Sequence, residues 1–138
     1  MVQKYIKDLF NNCSVGNLLG IEIVDVKEGK AKAKLTLKKE HLNVFGIAHG
    51  GIIFTFADHV GGACGNSLGR KAILVESTIH YARAVKDGDT LLGEAKLTYQ
   101  GNKTGRIDIH ITKNNGDSVA FMHMLFFFME NDHKTETA

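Results

Sequence analysis

Two stretches of the chain alternate apolar and polar residues one by one. Over residues 30–38, Ala31, Ala33, Leu35 and Leu37 fall on one side, and Lys30, Lys32, Lys34 and Thr36 on the other. Over residues 105–113, Ile107, Ile109 and Ile111 oppose Arg106, Asp108 and His110. A period of two predicts strands with one solvated face. Further strands are predicted over residues 21–26, 73–83, 90–99 and 118–129, the last being the most apolar. Glu28-Gly29, Asp87-Gly88-Asp89 and Asn115-Gly116 mark the turns between them. Val2, Ile6, Leu9 and Phe10 share a face at helical spacing, which predicts a short amphipathic helix over residues 2–12. Residues 11–17 read as a loop, and residues 130–138 as a polar, frayed tail.

A different pattern runs from residue 50 to 64. Ile52, Ile53, Phe54, Phe56, Ala57, Val60, Ala63 and Cys64 cover nearly every side of a helix, and such a helix is buried. A loop over residues 39–49 leads into it, and the small residues at 61–63 let a neighbour come close. The order is helix, two strands, buried helix, four strands. That order predicts one α+β domain over residues 1–138, with five to six antiparallel strands curved around a long central helix. One helix covers one face of such a sheet, so self-association is expected.

Composition narrows the classes. The 138 residues are 43% hydrophobic and 23% charged, which is enough apolar matter for a core and excludes a disordered chain. The longest apolar string, residues 124–129, is far too short for a membrane helix. The first residues lack a signal-peptide core, and the expected location is cytoplasmic. Seventeen basic against fifteen acidic residues is too mild for a nucleic-acid binder, though it suits a small polyanion. The seven histidines show neither HExxH nor paired Cys-x-x-Cys spacing, so no metal is expected. Cys13 and Cys64 are expected as free thiols, Cys64 as a small buried residue.

Two features carry chemistry. Asp58 lies inside the apolar helix, where a carboxylate is expensive and its pKa rises. Such a group is retained for function, or it lies on a locally polar stripe beside a cation such as His59. His49-Gly50-Gly51 opens the same helix. Its free N–H groups would attract negative charge, as an oxyanion hole does, unless the glycines serve only a tight loop. Gly51 and Asp58 share a helix side but stand about 10.5 Å apart along the axis. One carbonyl carbon cannot easily reach both, so a joint action predicts a site built from two subunits.

These residues resemble a known family. Asn43-Val44-Phe45-Gly46-Ile47-Ala48-His49-Gly50-Gly51, followed by Asp58, is similar to the N-x-x-G-x-x-H-G-G-x(6)-D signature of hotdog-fold acyl-CoA thioesterases. The phenylacetate-degradation subgroup is the nearest match. Asn66-Ser67-x-Gly69, Thr78-Ile79-His80-Tyr81-Ala82-Arg83 and Gln100-Gly101-Asn102-Lys103-Thr104-Gly105 resemble further motifs of that subgroup. The resemblance implies a hotdog fold, paired into a dimer or a dimer of dimers, that hydrolyses acyl-CoA without metal or redox cofactor. It implies Asp58 as base or nucleophile, Gly51 N–H as the donor to the thioester carbonyl, and Asn43 and His49 as the orienting polar pair. Gly50 and Phe45 would line the substrate, and Arg70, Lys71, Lys103 and Arg106 are candidates for the CoA phosphates by loop or strand-end position, a solvated surface being the alternative for each. Many relatives place Ser or Thr near positions 74 and 75. Here the nearest hydroxyls are Ser77 and Thr78, and Arg83-Ala84 replaces an Arg-Pro pair. A non-catalytic acyl-CoA or small-ligand binding protein on the same scaffold is the alternative reading, and a hotdog hydratase a third.

Overall fold

The computed structural model describes residues 1–133. Its elements are α1 (Val2–Asn11), α2 (Ser14–Leu19), β1 (Glu22–Lys27), β2 (Lys30–Thr36), α3 (Gly50–Gly65), β3 (Arg70–Tyr81), β4 (Thr90–Gln100), β5 (Thr104–Lys113) and β6 (Ser118–Asp132). The six strands form one antiparallel sheet in the order β1-β2-β4-β5-β6-β3. This is the α+β arrangement the pattern predicts, at the upper end of its strand count. No helix among the described residues is long and apolar enough to cross a membrane.

The alternating runs land as expected. Ala31, Ala33, Leu35, Ile107, Ile109 and Ile111 all point into the core, and their polar neighbours point out. They pack on α3, whose Ile53, Phe56, Ala57, Val60, Ala63 and Cys64 are buried. Contact is close because glycines stand where helix and sheet meet. A Cβ on Gly93 of β4 would lie 2.9 Å from the Phe56 ring, and one on Gly61 would collide with Met124 Sδ.

The N-terminal helices cover the other flank of α3. Phe10 tilts over the His59 ring with centroids 5.3 Å apart, and His59 Nε2–H donates to the Phe10 carbonyl at 3.0 Å. At the β1 margin of the sheet, the Asn11 side chain works like a strand peptide. Its Nδ2 donates to the Ile23 carbonyl at 3.0 Å, and its Oδ1 accepts from Ile23 N–H at 2.8 Å.

Three boundaries correct the sequence reading. Residues 11–17 are not one loop, because α2 forms over Ser14–Leu19 and ends at Gly20 in the left-handed conformation. The third strand begins at Arg70 and ends at Tyr81. Beyond it, Ala82 and Arg83 N–H both turn to the Val119 carbonyl. The polar tail begins too early in that reading, since β6 runs to Asp132 opposite Arg70; residues 134–138 lie outside the described residues. Both cysteines are free. Burial pushes the Cys64 thiol up to about 12, despite an opposing backbone hydrogen bond at Leu97, so it stays protonated and is no nucleophile.

Candidate active site

The start of α3 is held by a short series of hydrogen bonds. His49 is the N-cap, extended at φ −62° and ψ 132°, and its Nδ1 accepts from Gly51 N–H at 2.8 Å. This satisfies one of the four N–H groups a helix leaves without internal partners. Accepting at Nδ1 places the proton of the neutral ring on Nε2. His49 N–H in turn donates to the carbonyl of buried His41 at 2.8 Å. From the sheet side, the Tyr81 hydroxyl donates to the Gly50 carbonyl at 2.8 Å. Burial raises the Tyr81 pKa, which keeps that hydroxyl a donor.

The preceding loop is organised by Asn43. Its Oδ1 accepts from Phe45 N–H at 2.9 Å and from Ile47 N–H at 3.4 Å, an Asx-type turn completed by Gly46 at φ 77°. Asn43 thus orders its own loop in the single chain. Phe45 stands at the loop tip, 83% exposed. Asn43, Gly50, Ile53, Tyr81 and Arg83 line a cleft of about 380 Å³ beside the helix start.

Asp58 lies two turns further along α3 and does not line that cleft. Burial pushes its carboxyl above the ordinary carboxylate value, and the neighbouring His59 pulls it partly back. Among the described residues it has no ion pair and no side-chain hydrogen bond. His59 points instead to Phe10, and its burial lowers its own pKa, so it is a poor counter-ion. The single chain therefore holds an unpaired, desolvated carboxylate on one part of the helix and a donor-rich start on another.

The remaining predicted site residues separate into three groups. Ser77 Oγ is buried without a hydrogen-bond partner. Thr78 and Arg106 lie on the opposite, outer face of the sheet, lining a cleft with His80 and His110; there Arg106 pairs with Asp108 at 3.1 Å. Arg70 and Lys103 come together at the far end of the sheet. Arg70 donates to the Asn102 carbonyl at 2.8 Å and sits 5.0 Å over the Phe128 ring, while the Lys103 carbonyl accepts from Phe128 N–H. Among the described residues, no three His, Cys, Asp or Glu side chains converge as metal ligands. The sequence reading passed over Tyr81 and Arg83 as site residues. The sequence signal for Tyr81 is its place in the Thr78–Arg83 run that resembles a subgroup motif, which gives the phenol no role.

Comparison with known proteins places the chain in a family. Residues 45–120 match the model of the thioesterase superfamily. An Escherichia coli protein, acyl-coenzyme A thioesterase PaaI, is 34% identical over 81% of this chain and 80% of its own length. Its solved structure, from the phenylacetic acid degradation operon, superposes with a TM-score of 0.89 over 94% of this chain and 96% of that one, at 29% sequence identity. A candidate esterase of Archaeoglobus fulgidus is 40% identical over 75% of this chain and 68% of its own. A Streptococcus mutans protein solved bound to acetyl-CoA superposes with a TM-score of 0.79, at 30% identity, over 83% of this chain and 91% of that one. The chain belongs to the thioesterase superfamily, and its fold is the hotdog fold. It is a thioester hydrolase.

Proposed function

We propose that this protein hydrolyses acyl-CoA thioesters, with Asp58 of one copy facing the α3 start of a second copy. The observation that carries the reading is Asp58 itself, a desolvated carboxylate with no ion pair or side-chain hydrogen bond among the described residues. A raised pKa suits a base that works near neutral pH. Asp58 takes a proton from water as the oxygen attacks the thioester carbon, or its own oxygen attacks that carbon to give an anhydride that water then opens. In either route, negative charge gathers on the carbonyl oxygen. The Gly51 N–H of the partner copy is the donor aimed at that charge, in the field of the helix start. Collapse of that oxyanion breaks the C–S bond, giving the acid directly in the first route and the anhydride, which water then opens, in the second; the CoA thiolate leaves and takes up a proton.

In this reading the His49 ring holds the place of the carbonyl oxygen. Its Nδ1 occupies the Gly51 N–H now and must move aside for substrate. Asn43 lines the acyl side of the cleft beside Gly50, and Phe45, exposed at the loop tip outside that lining, is assigned to the acyl group. Arg70 and Lys103, whose cationic ends have no carboxylate partner among the described residues, are assigned to the CoA phosphates. The relative that acts on acyl-coenzyme A and the structure holding acetyl-CoA support the substrate class. The homo-oligomer is supported by β3, a twelve-residue edge strand with Ile73 and Val75 more than half exposed. Two free cysteines suit a reducing, cytoplasmic setting.

The experiment is a panel of aromatic and aliphatic acyl-CoA esters, with released CoA trapped by a thiol reagent. Thiol release from at least one ester, lost in Asp58→Asn, supports the reading. Tight ester binding with no thiol release from the whole panel rejects it in favour of a binding protein.

A further inference from the structure

One peptide group at the start of α3 is engaged at both ends. The carbonyl of Gly50 and the N–H of Gly51 belong to the same planar, conjugated unit. Its oxygen accepts from the Tyr81 hydroxyl at 2.8 Å, and its N–H donates to His49 Nδ1 at 2.8 Å. The Tyr81 contact crosses from the end of β3 to a residue 31 positions earlier, so it ties the sheet to the helix start. Glycine at position 50 keeps that approach open. A Cβ there would stand 3.3 Å from both Cζ and Oη of Tyr81, tighter than such contacts usually are. The Thr55 hydroxyl serves the next peptide, donating to the Gly51 carbonyl at 2.8 Å.

A donor on a peptide oxygen draws electron density out of the C–N bond and leaves its N–H more positive. Hydrogen bonds joined in series through such a group strengthen one another, by about 10–30% per bond. The same contact fixes the tilt of the peptide plane and hence the direction of the N–H.

We infer that Tyr81 is a positioning residue for thioester hydrolysis: its hydroxyl aims and polarises the Gly50–Gly51 peptide, so that Gly51 N–H meets the developing oxyanion as a stronger, pre-set donor. This rests on the reading of Gly51 as the carbonyl donor. The hydroxyl touches no reacting atom. It acts through the peptide, so its effect belongs to the transition state, where the oxygen is most charged, and not to substrate binding.

The test is Tyr81→Phe, which keeps the ring and removes the hydroxyl, read by kinetics and by the Gly51 amide. The full-length oligomer is labelled with ¹³C-carbonyl and ¹⁵N glycine, so that only Gly-Gly pairs give the joint signal. The expected result is an upfield shift of the Gly51 amide proton, a kcat lower by roughly 3–10-fold and an unchanged KM. Fluorotyrosines at position 81 sharpen the donor while keeping the fold, and kcat should climb with phenol acidity while the hydroxyl stays protonated. A Gly51 amide that does not move in Tyr81→Phe, or a fluorotyrosine series with flat kcat and a fixed amide, overturns the inference whatever the activity does. An amide that moves while kcat stays level shows that Tyr81 polarises the peptide but Gly51 is not the donor, which overturns the reading of the site. Should Tyr81→Phe fail to assemble, the fluorotyrosine series alone decides, because it retains the hydroxyl.

Discussion

Asp58 lies seven residues beyond Gly51 on the same side of α3, yet the cleft beside Gly50 is not lined by Asp58. Two helical turns separate them by about 10.5 Å of rise. A carboxylate and a carbonyl donor must both come within hydrogen-bond reach of one thioester. Two antiparallel copies of the helix would bring unlike ends together, which one copy cannot do.

That relationship gives a complementation test. Asp58→Ala removes the carboxylate. Gly51→Pro removes the amide proton at a first-turn position where proline is tolerated. Each variant alone should be inactive by a factor of roughly 10²–10⁴. After subunit exchange, half the dimers are mixed, and each carries one intact site. Turnover should then recover to about a quarter of wild type, given a two-fold interface that pairs unlike residues. No recovery, with exchange proven by native mass spectrometry, rejects the shared site.

Asp58 also predicts a pH dependence of stability. Its pKa is raised in the fold above the ordinary value, so the folded state holds this proton more firmly than the unfolded chain. The stability it contributes is present at low pH and is lost as pH rises through the folded pKa. At neutral pH the charged carboxylate therefore weighs against folding. Asp58→Asn should raise Tm at pH 7, and the gain should vanish below the ordinary carboxylate range. Thermal melts across pH check this, and a Tm unchanged or lowered at pH 7 contradicts it.

His59 works in the opposite sense. Its pKa is lowered by burial, so its contribution is present above the ordinary histidine value and lost as pH falls below it. Replacing it with glutamine, which can still donate to the Phe10 carbonyl, should flatten the loss of stability on acidification. An unchanged slope in urea titrations between pH 7 and 5 would show that His59 does not drive it.

Much of this could be read in the sequence, for reasons that differ by element. The strands over residues 30–37 and 105–113 announce themselves because each buries one face, and burial writes a period of two. α2 leaves no such record. It has six residues, a glycine at its centre and no side-chain cap. The end of β6 is also silent, since Glu130, Asn131 and Asp132 continue a ladder past the core, where backbone pairing needs no apolar side chain. At the site, Asp58 and the double glycine stand out as residues that do not suit their local surroundings. The Tyr81 contact with Gly50 depends on how β3 comes back past the helix start, and no local pattern records that. Nor does the sequence separate the faces of the sheet at positions 77 and 78. Alternation over residues 105–113 puts Arg106 on the outer side, where it lies, but it does not say which of Ser77 and Thr78 joins it there.

Packing supplies another prediction. Gly93 of β4 faces the Phe56 ring, and a Cβ would stand 2.9 Å from Phe56 Cε2 and 3.3 Å from Val60 Cγ1. Both neighbours are fully buried and have little room to give. Gly93→Ala should destabilise the fold by about 1–3 kcal/mol through overpacking. A urea midpoint equal to wild type would show that α3 can lift off the sheet freely.

The β3 edge gives the last prediction. Val75→Lys places a charge on a strand that is exposed in the single chain, where it should hardly affect the stability of the fold itself. If β3 is the seam between copies, the variant should sediment as a monomer and lose thiol release. A lysine variant that stays oligomeric and active moves the seam elsewhere.

The Asn11 side chain has a consequence for growth. By occupying both the N–H and the C=O of Ile23, it leaves the β1 margin little to offer an incoming chain near that residue. The ladder is thus blunted on one border and bare on the other. A molecule with a single open border can join one companion there and then has nowhere to add a third in line. If copies join along β3, addition by strand pairing would stop at two, and the polymer that a ribbon open on both sides would invite would be closed off.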